Sequence, residues 1–201
     1  MKSLFGLVIL LAITSCTPKE TGPVEEAKAF QEELNTQFAK EDESPLTPED
    51  LATFEGLEFF PVDTSFRVIA ELTFHEDSQP FLMKTTTDRL PVYKLYATAE
   101  FTLKGKEYSL EIYQSQDLIG DPEFNDYLFL PFTDKTNGKS SYGGGRYLDL
   151  SIPDGDKMII DFNMAYNPYC AYNSEYSCPI PPSRNDLDLE VRAGVMAYGK
   201  H

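Results

Sequence analysis

The chain has no tryptophan, two histidines and three cysteines. His75 and His201 lie away from its motif-rich stretches. A Ser-His-Asp or Cys-His catalytic arrangement needs a positioned imidazole, so those enzyme classes lose support. Zinc sites draw on histidine or on several closely spaced cysteines. No P-loop or dinucleotide fingerprint is present either, and no metal or cofactor is expected. Cationic side chains are scarce: 17 Lys and Arg stand against 33 Asp and Glu, for a formal net charge of -16. Nucleic acid is held by neutralising its phosphates, which this balance disfavours. The same holds for anionic lipid headgroups.

The long apolar run is confined to the start, from Leu4 to Ile13, after Lys2 and before Thr14-Ser15-Cys16. It is too short to span a bilayer. A charged start, an apolar centre and small residues at the end make a secretory signal. Ile13-Thr14-Ser15-Cys16 fits a lipobox, where cleavage precedes a cysteine that carries diacylglycerol. The expected organisation is a signal peptide over 1–15, a lipidated tether over 16–22 beginning at Cys16, and one β-rich domain over 23–201. Several acyl chains hold a protein durably where one does not. The protein is therefore expected in the bacterial cell envelope, outside the cytoplasm and on the outer membrane, with the bilayer as its partner through the lipid.

The chain beyond the tether is long enough for a genuine core, and 41% of residues are apolar. Pro23 sits where a first helical turn tolerates it. Val24, Ala27, Phe30, Leu34 and Phe38 then recur at helical steps. Thr47-Pro48-Glu49-Asp50 reads as an N-cap and an acidic first turn, predicting a short helix to about Phe54, ended by Gly56. From there the period becomes two. Phe66 to Phe74, Tyr93 to Leu103, Tyr108 to Ile112, Leu128 to Phe132, Leu148 to Ile152, Met158 to Phe162 and Leu187 to Val191 each alternate apolar and polar. Hairpins are expected at Lys104-Gly105-Lys106 and at Asp154-Gly155-Asp156. Alternation implies one wet face and one buried face. The fold class is mainly β: an antiparallel β-barrel or sandwich with an N-terminal helix, after a lipoprotein signal peptide.

Several residues offer chemistry. Tyr142, Gly143, Gly144, Gly145 and Arg146 form a glycine turn whose amides and guanidinium suit an anion. The competing use is a tight turn with Arg146 paired to an acid. Asp161 and Asn163 form a polar cluster with Arg146, Asp149 and Asp134, for a ligand or for satisfying buried backbone groups. Tyr166 and Asn167 belong to a segment dense in tyrosine with Tyr142, Tyr147, Tyr169, Tyr172 and Tyr176. Aromatic rings with polar tips suit a sugar or small ligand, and also plain packing. Cys170 and Cys178 read as a disulfide, since lipidation of Cys16 leaves an even count. Closing so short a loop contributes about 2.5 kcal/mol in the chain-entropy account.

Specific segments are spread over the domain. They include Ser44-Pro45-Leu46-Thr47, Phe60-Pro61-Val62-Asp63, Thr85-Thr86-Thr87, Leu128-Phe129-Leu130-Pro131-Phe132-Thr133-Asp134 and Tyr142-Gly143-Gly144-Gly145-Arg146-Tyr147. The densest are Asp161-Phe162-Asn163, Ala165-Tyr166-Asn167-Pro168-Tyr169-Cys170-Ala171-Tyr172 and Ser177-Cys178-Pro179-Ile180-Pro181-Pro182. In these the chain resembles an uncharacterised bacterial lipoprotein family, the domain-of-unknown-function 1684 family. The resemblance implies no activity. The residues favour a lipid-anchored envelope module, with no catalytic residue assigned, that binds a small anion or glycan or contacts an envelope protein. The alternative is a hydrolase using paired carboxylates, Asp134 with Asp161 or Asp149.

Overall fold

The protein is described by a computed structural model over residues 21–199; the expected signal peptide and the expected lipidation site at Cys16 lie outside these residues. Helix α1 (Pro23–Ala39) forms where its apolar stripe predicts. Pro23 takes the first position, and Glu25 and Glu26 sit at the positive end of the helix dipole. Ala27, Leu34 and Phe38 are buried. Leu34 and Phe38 pack with Leu46, Leu57, Ala171, Tyr172 and Val195, which fastens the helix to the body. Helix α2 (Pro48–Leu51) is capped by Thr47, whose hydroxyl accepts the Asp50 N–H at 3.2 Å. It ends at Leu51, short of Phe54. Gly56, at φ 126, then turns the chain so that the Leu57 N–H reaches Asn35 Oδ1 on α1 at 2.7 Å.

Strands β1 (Arg67–Phe74), β2 (Phe81–Leu82), β3 (Val92–Leu103), β4 (Lys106–Ser115), β5 (Tyr127–Asp134), β6 (Arg146–Ser151), β7 (Lys157–Asp161) and β8 (Asp186–Leu187) make one 8-stranded sheet. Its path runs β6-β5-β4-β3-β1-β7, with antiparallel pairing. β2 flanks β3, and β8 lies parallel to β5. The β3–β4 hairpin forms as expected. Lys104 and Gly105 take φ 50 and 80, the left-handed pair that a two-residue type I′ turn requires.

The second expected hairpin does not form. β6 pairs with β5 and β7 with β1, so strands consecutive in the chain hold opposite ends of the path. Five spacings of about 4.8 Å would put the edges of a flat sheet roughly 24 Å apart. The link through residues 152–156 spans about 20 Å when fully extended. The sheet must therefore curl, and it forms a half-barrel rather than a closed barrel or a two-layer sandwich. Inside the curl lie Ala99, Phe101, Ile112, Leu130, Phe132 and Ile160, among others. Each large side chain of this kind contributes about 1.5–3 kcal/mol on burial.

Two other expectations change. The last strand, expected to run through Leu189 to Val191, pairs only over Asp186–Leu187. The chain beyond is held by side chains of β5 and β6. In addition, β3 does not keep one apolar face. Its register with β4 shifts between Leu95 and Ala97, leaving Tyr96 as a bulge. Ala97, Ala99, Phe101 and Leu103 face the interior of the curl. Tyr93 and Leu95 pack on the outer face with Tyr113 and Phe129.

Candidate functional site

The glycine turn and Arg146 are structural. Arg146 points inward along β6, opposite Phe132, and its side chain and that of Asp134 are both 0% exposed. Its Nη2 donates to Asp134 Oδ2 at 2.7 Å and to the Val191 carbonyl at 2.8 Å. Its Nη1 donates to the Ala193 carbonyl. Asp134 Oδ1 accepts the N–H of Thr136 at 2.8 Å and of Val191 at 3.1 Å. A buried charge must be paired and a buried carbonyl must find a donor. This ion pair meets both needs and clips the C-terminal segment onto the sheet.

The glycines serve the same turn. Gly145 has φ 93, and a Cβ there would lie 2.6 Å from the Phe132 carbonyl oxygen. A Cβ on Gly144 would meet the Tyr142 ring at 2.5 Å. Tyr142 turns toward Cys170, its hydroxyl 3.8 Å from Sγ. Gly143 packs loosely, its nearest neighbour being Gly138.

Asp161 and Asn163 do converge, but on each other. Asp161 Oδ1 accepts from Asn163 N and Nδ2 at 2.9 and 2.8 Å, while Oδ2 pairs with Arg67 at 3.0 Å. Asn163 is buried and exchanges hydrogen bonds with the Asp63 backbone. Asn167 holds the Met196 carbonyl at 2.9 Å. Of the carboxylates considered for paired catalysis, Asp134 and Asp161 are thus each taken up by an arginine. Only Asp149 opens to a cavity.

That cavity is elsewhere. Along β5 and β6, residues alternate with the core positions: Tyr127 and Phe129 point outward between Leu128 and Leu130, and Tyr147 and Asp149 point outward around Leu148. The β3 bulge adds Tyr93 to the same outer face. Helix α1 crosses beside it with Phe30, Leu34 and Gln37. The proline-rich segment after β7 closes the remaining side. Tyr166 and Tyr147 exchange backbone hydrogen bonds at 2.9 and 3.0 Å. The Tyr147 hydroxyl donates to the Pro179 carbonyl. The Thr85-Thr86-Thr87 motif staples the segment: Thr86 N–H donates to the Cys178 carbonyl at 2.9 Å, and Cys178 N–H to Thr86 Oγ1 at 3.1 Å. Together these elements enclose about 430 Å³, within the usual range for small-molecule sites.

Asp149 forms part of its floor. Tyr127 and Tyr166 hydroxyls donate to Oδ1 at 2.8 and 2.7 Å. The carboxylate is reachable by solvent through the cavity, yet protein surrounds it on most sides. Desolvation raises its pKa above the usual carboxylate range, and the hydrogen bonds from Tyr166 and Tyr127 offset part of that rise. Burial likewise pushes Tyr166 and Tyr93 up, Tyr93 to about 12. Arg89 stands at the rim, anchored by donation to Ser177 O at 3.0 Å and Oγ at 3.3 Å.

Cys170 and Cys178 are free thiols, so the expected disulfide is not formed. They are neighbours nonetheless: the Cys170 N–H donates to Cys178 Sγ at 3.1 Å. Hydrogen bonding from Cys178, supported by Tyr142 and Thr86, brings the Cys170 pKa down to about 6, and the same contact with burial pushes Cys178 up. Cys178 lines the cavity.

Of the candidates named from sequence for a ligand, Tyr166 and Asp149 of the polar cluster line the cavity. Tyr147, Tyr169 and Tyr176 of the tyrosine-rich stretches join them, whereas Tyr172 packs edge-on against Phe38 at 4.8 Å. Sequence reasoning misses Tyr93, Tyr127, Phe129 and Arg89. The outward aromatics of β5 are a visible signal, because Tyr127 and Phe129 interrupt an alternation that otherwise puts polar residues outside.

A curled antiparallel sheet with an aromatic cavity on its outer face therefore defines the molecule. The family model described as "Protein of unknown function (DUF1684)" matches residues 52–196, and the chain belongs to that family. It is similar to an uncharacterised protein of Haloarcula marismortui solved by solution NMR. The two share 37% identity at a TM-score of 0.69, over 88% of this chain and 95% of that one. No curated protein matches the chain.

Proposed function

We propose that this protein is a lipid-anchored module of the cell envelope that binds a small polar molecule in the aromatic cavity beside α1. The observation that carries the reading is Asp149, held by two tyrosine hydroxyls on the floor of a cavity walled by rings. Asp149 is open to the cavity with no ion-pair partner among the described residues, and titratable groups with shifted pKa concentrate at functional sites. Arg146, where an anion was expected, is consumed internally. Support for a ligand therefore moves to the cavity, whose rings suit the face of a sugar or a cationic group.

A thermal-shift screen of the purified protein against glycans, zwitterions and simple anions tests this. A stabilising compound whose effect disappears in Asp149→Asn and in Tyr176→Ala supports the cavity. A response that survives both changes places binding elsewhere. The anchor is tested separately: a labelled fatty acid should be incorporated into the protein and lost in Cys16→Ser.

A further inference from the structure

The floor acid has an unused oxygen. Both hydroxyls that reach Asp149 donate to Oδ1, and among the described residues nothing donates to Oδ2. Asp134 and Asp161 have arginine partners; Asp149 has no ion-pair partner among the described residues. Around it the rings succeed one another at changing angles. Tyr93 and Phe129 are tilted by 37° at 5.6 Å, Phe129 and Tyr147 by 75° at 4.8 Å, and Tyr147 and Tyr166 by 89° at 5.9 Å. These rings pack against one another and turn only a small part of their surface to the cavity they line; an aromatic face that reaches it attracts a cation. A neutral ligand would leave Oδ2 without a counterion. A simple anion would meet a carboxylate.

The rim has the opposite character. The exposed Arg89 guanidinium is steadied by Ser177 through Nε and Nη2, which leaves Nη1 for a carboxylate or phosphate. We propose that the cavity takes a small zwitterion, its ammonium head against Asp149 at the wall lined by Tyr93, Phe129, Tyr147 and Tyr166, and its anionic end at Arg89. This rests on the reading of the cavity as the binding site. The net charge of -16 draws the ammonium end toward the protein at long range.

Calorimetric titration of the full chain uses choline, its uncharged carbon isostere 3,3-dimethylbutan-1-ol, phosphocholine and the neutral disaccharide cellobiose. Choline should bind about tenfold more tightly than the isostere, the equivalent of about 1.4 kcal/mol. Asp149→Asn should cut most of that preference, the rings keeping the remainder, and leave isostere binding unchanged. Phosphocholine should exceed choline, and Arg89→Ala should erase the difference. Equal binding of choline and isostere, or a choline affinity untouched by Asp149→Asn, overturns the proposal. Cellobiose binding that Tyr176→Ala weakens, without choline binding, sinks the zwitterion but keeps the cavity. If none of the four binds, the cavity reading is lost with it. Vesicles of phosphatidylcholine separate the two sources of this chemistry: capture of vesicles as well as phosphocholine identifies a lipid headgroup, and binding of phosphocholine alone a free solute. Thermal unfolding of each variant confirms that it is folded.

Discussion

Residues of one chemical type have opposite fates here, decided by what surrounds them. Asp134 is paired and sealed, while Asp149 faces a solvent-open cavity with no ion-pair partner among the described residues. A carboxyl with a raised pKa binds its proton more tightly in the folded state than in the unfolded one. Its contribution to stability is full below the unfolded value of about 3.9 and is lost as pH rises through the folded value. Asp149→Asn should accordingly raise Tm at pH 7, and the gain should vanish below about pH 4; calorimetry at both pH values checks it. A residue that costs stability where the protein works is what a binding site would retain. Cys170 gives a second reading at this scale. In the reduced protein its alkylation by iodoacetamide should show an inflection near pH 6, where its pKa lies at about 6. Cys178→Ala should move that inflection up toward about 8.5.

At the scale of elements, periodicity marked α1, the β3–β4 hairpin and the strand cores, because these depend on near neighbours in the chain. It missed the bulge. Tyr93, Leu95 and Ala97 obey strict alternation in the sequence, yet the pairing with β4 sets Leu95 opposite Tyr113 and Ala97 opposite Ile112. Deleting Tyr96 should make the ladder regular, with Leu95 next to Ala97, and so keep Tyr93 and Leu95 on the outer face. We expect such a variant to lose the Tyr96 ring contact with Phe74, worth about 0.5–1.5 kcal/mol, and chemical denaturation measures it. The same limit explains Asp154-Gly155-Asp156. Its composition is that of a hairpin turn, but strand partners are chosen by the whole sheet, and both neighbours of that turn pair elsewhere. At Gly194, with φ 76, a Cβ would lie 2.5 Å from the Ala165 carbonyl oxygen.

For the molecule as a whole, the decisive joint is the one between the curled sheet and the chain's last stretch. Arg146 binds the carbonyls of residues 191 and 193 while paired with Asp134. Arg146→Met should strand a buried carboxylate and cost about 3–5 kcal/mol, lowering Tm by roughly 10 °C in a domain of this size, with a single cooperative transition. Composition and local pattern alone were enough to establish an acidic, strand-built domain led by a helix, because charge and apolar spacing are properties of the chain itself. They also marked Tyr166 and the tyrosine-rich stretches as surfaces of interest. Which polar groups would be spent on the fold and which left facing a cavity depended on tertiary contacts. Asp149 and Arg146 lie close together in β6 on opposite faces, and only the curl of the sheet, with α1 laid beside its outer face, makes one the floor of an open box and the other a buried clip.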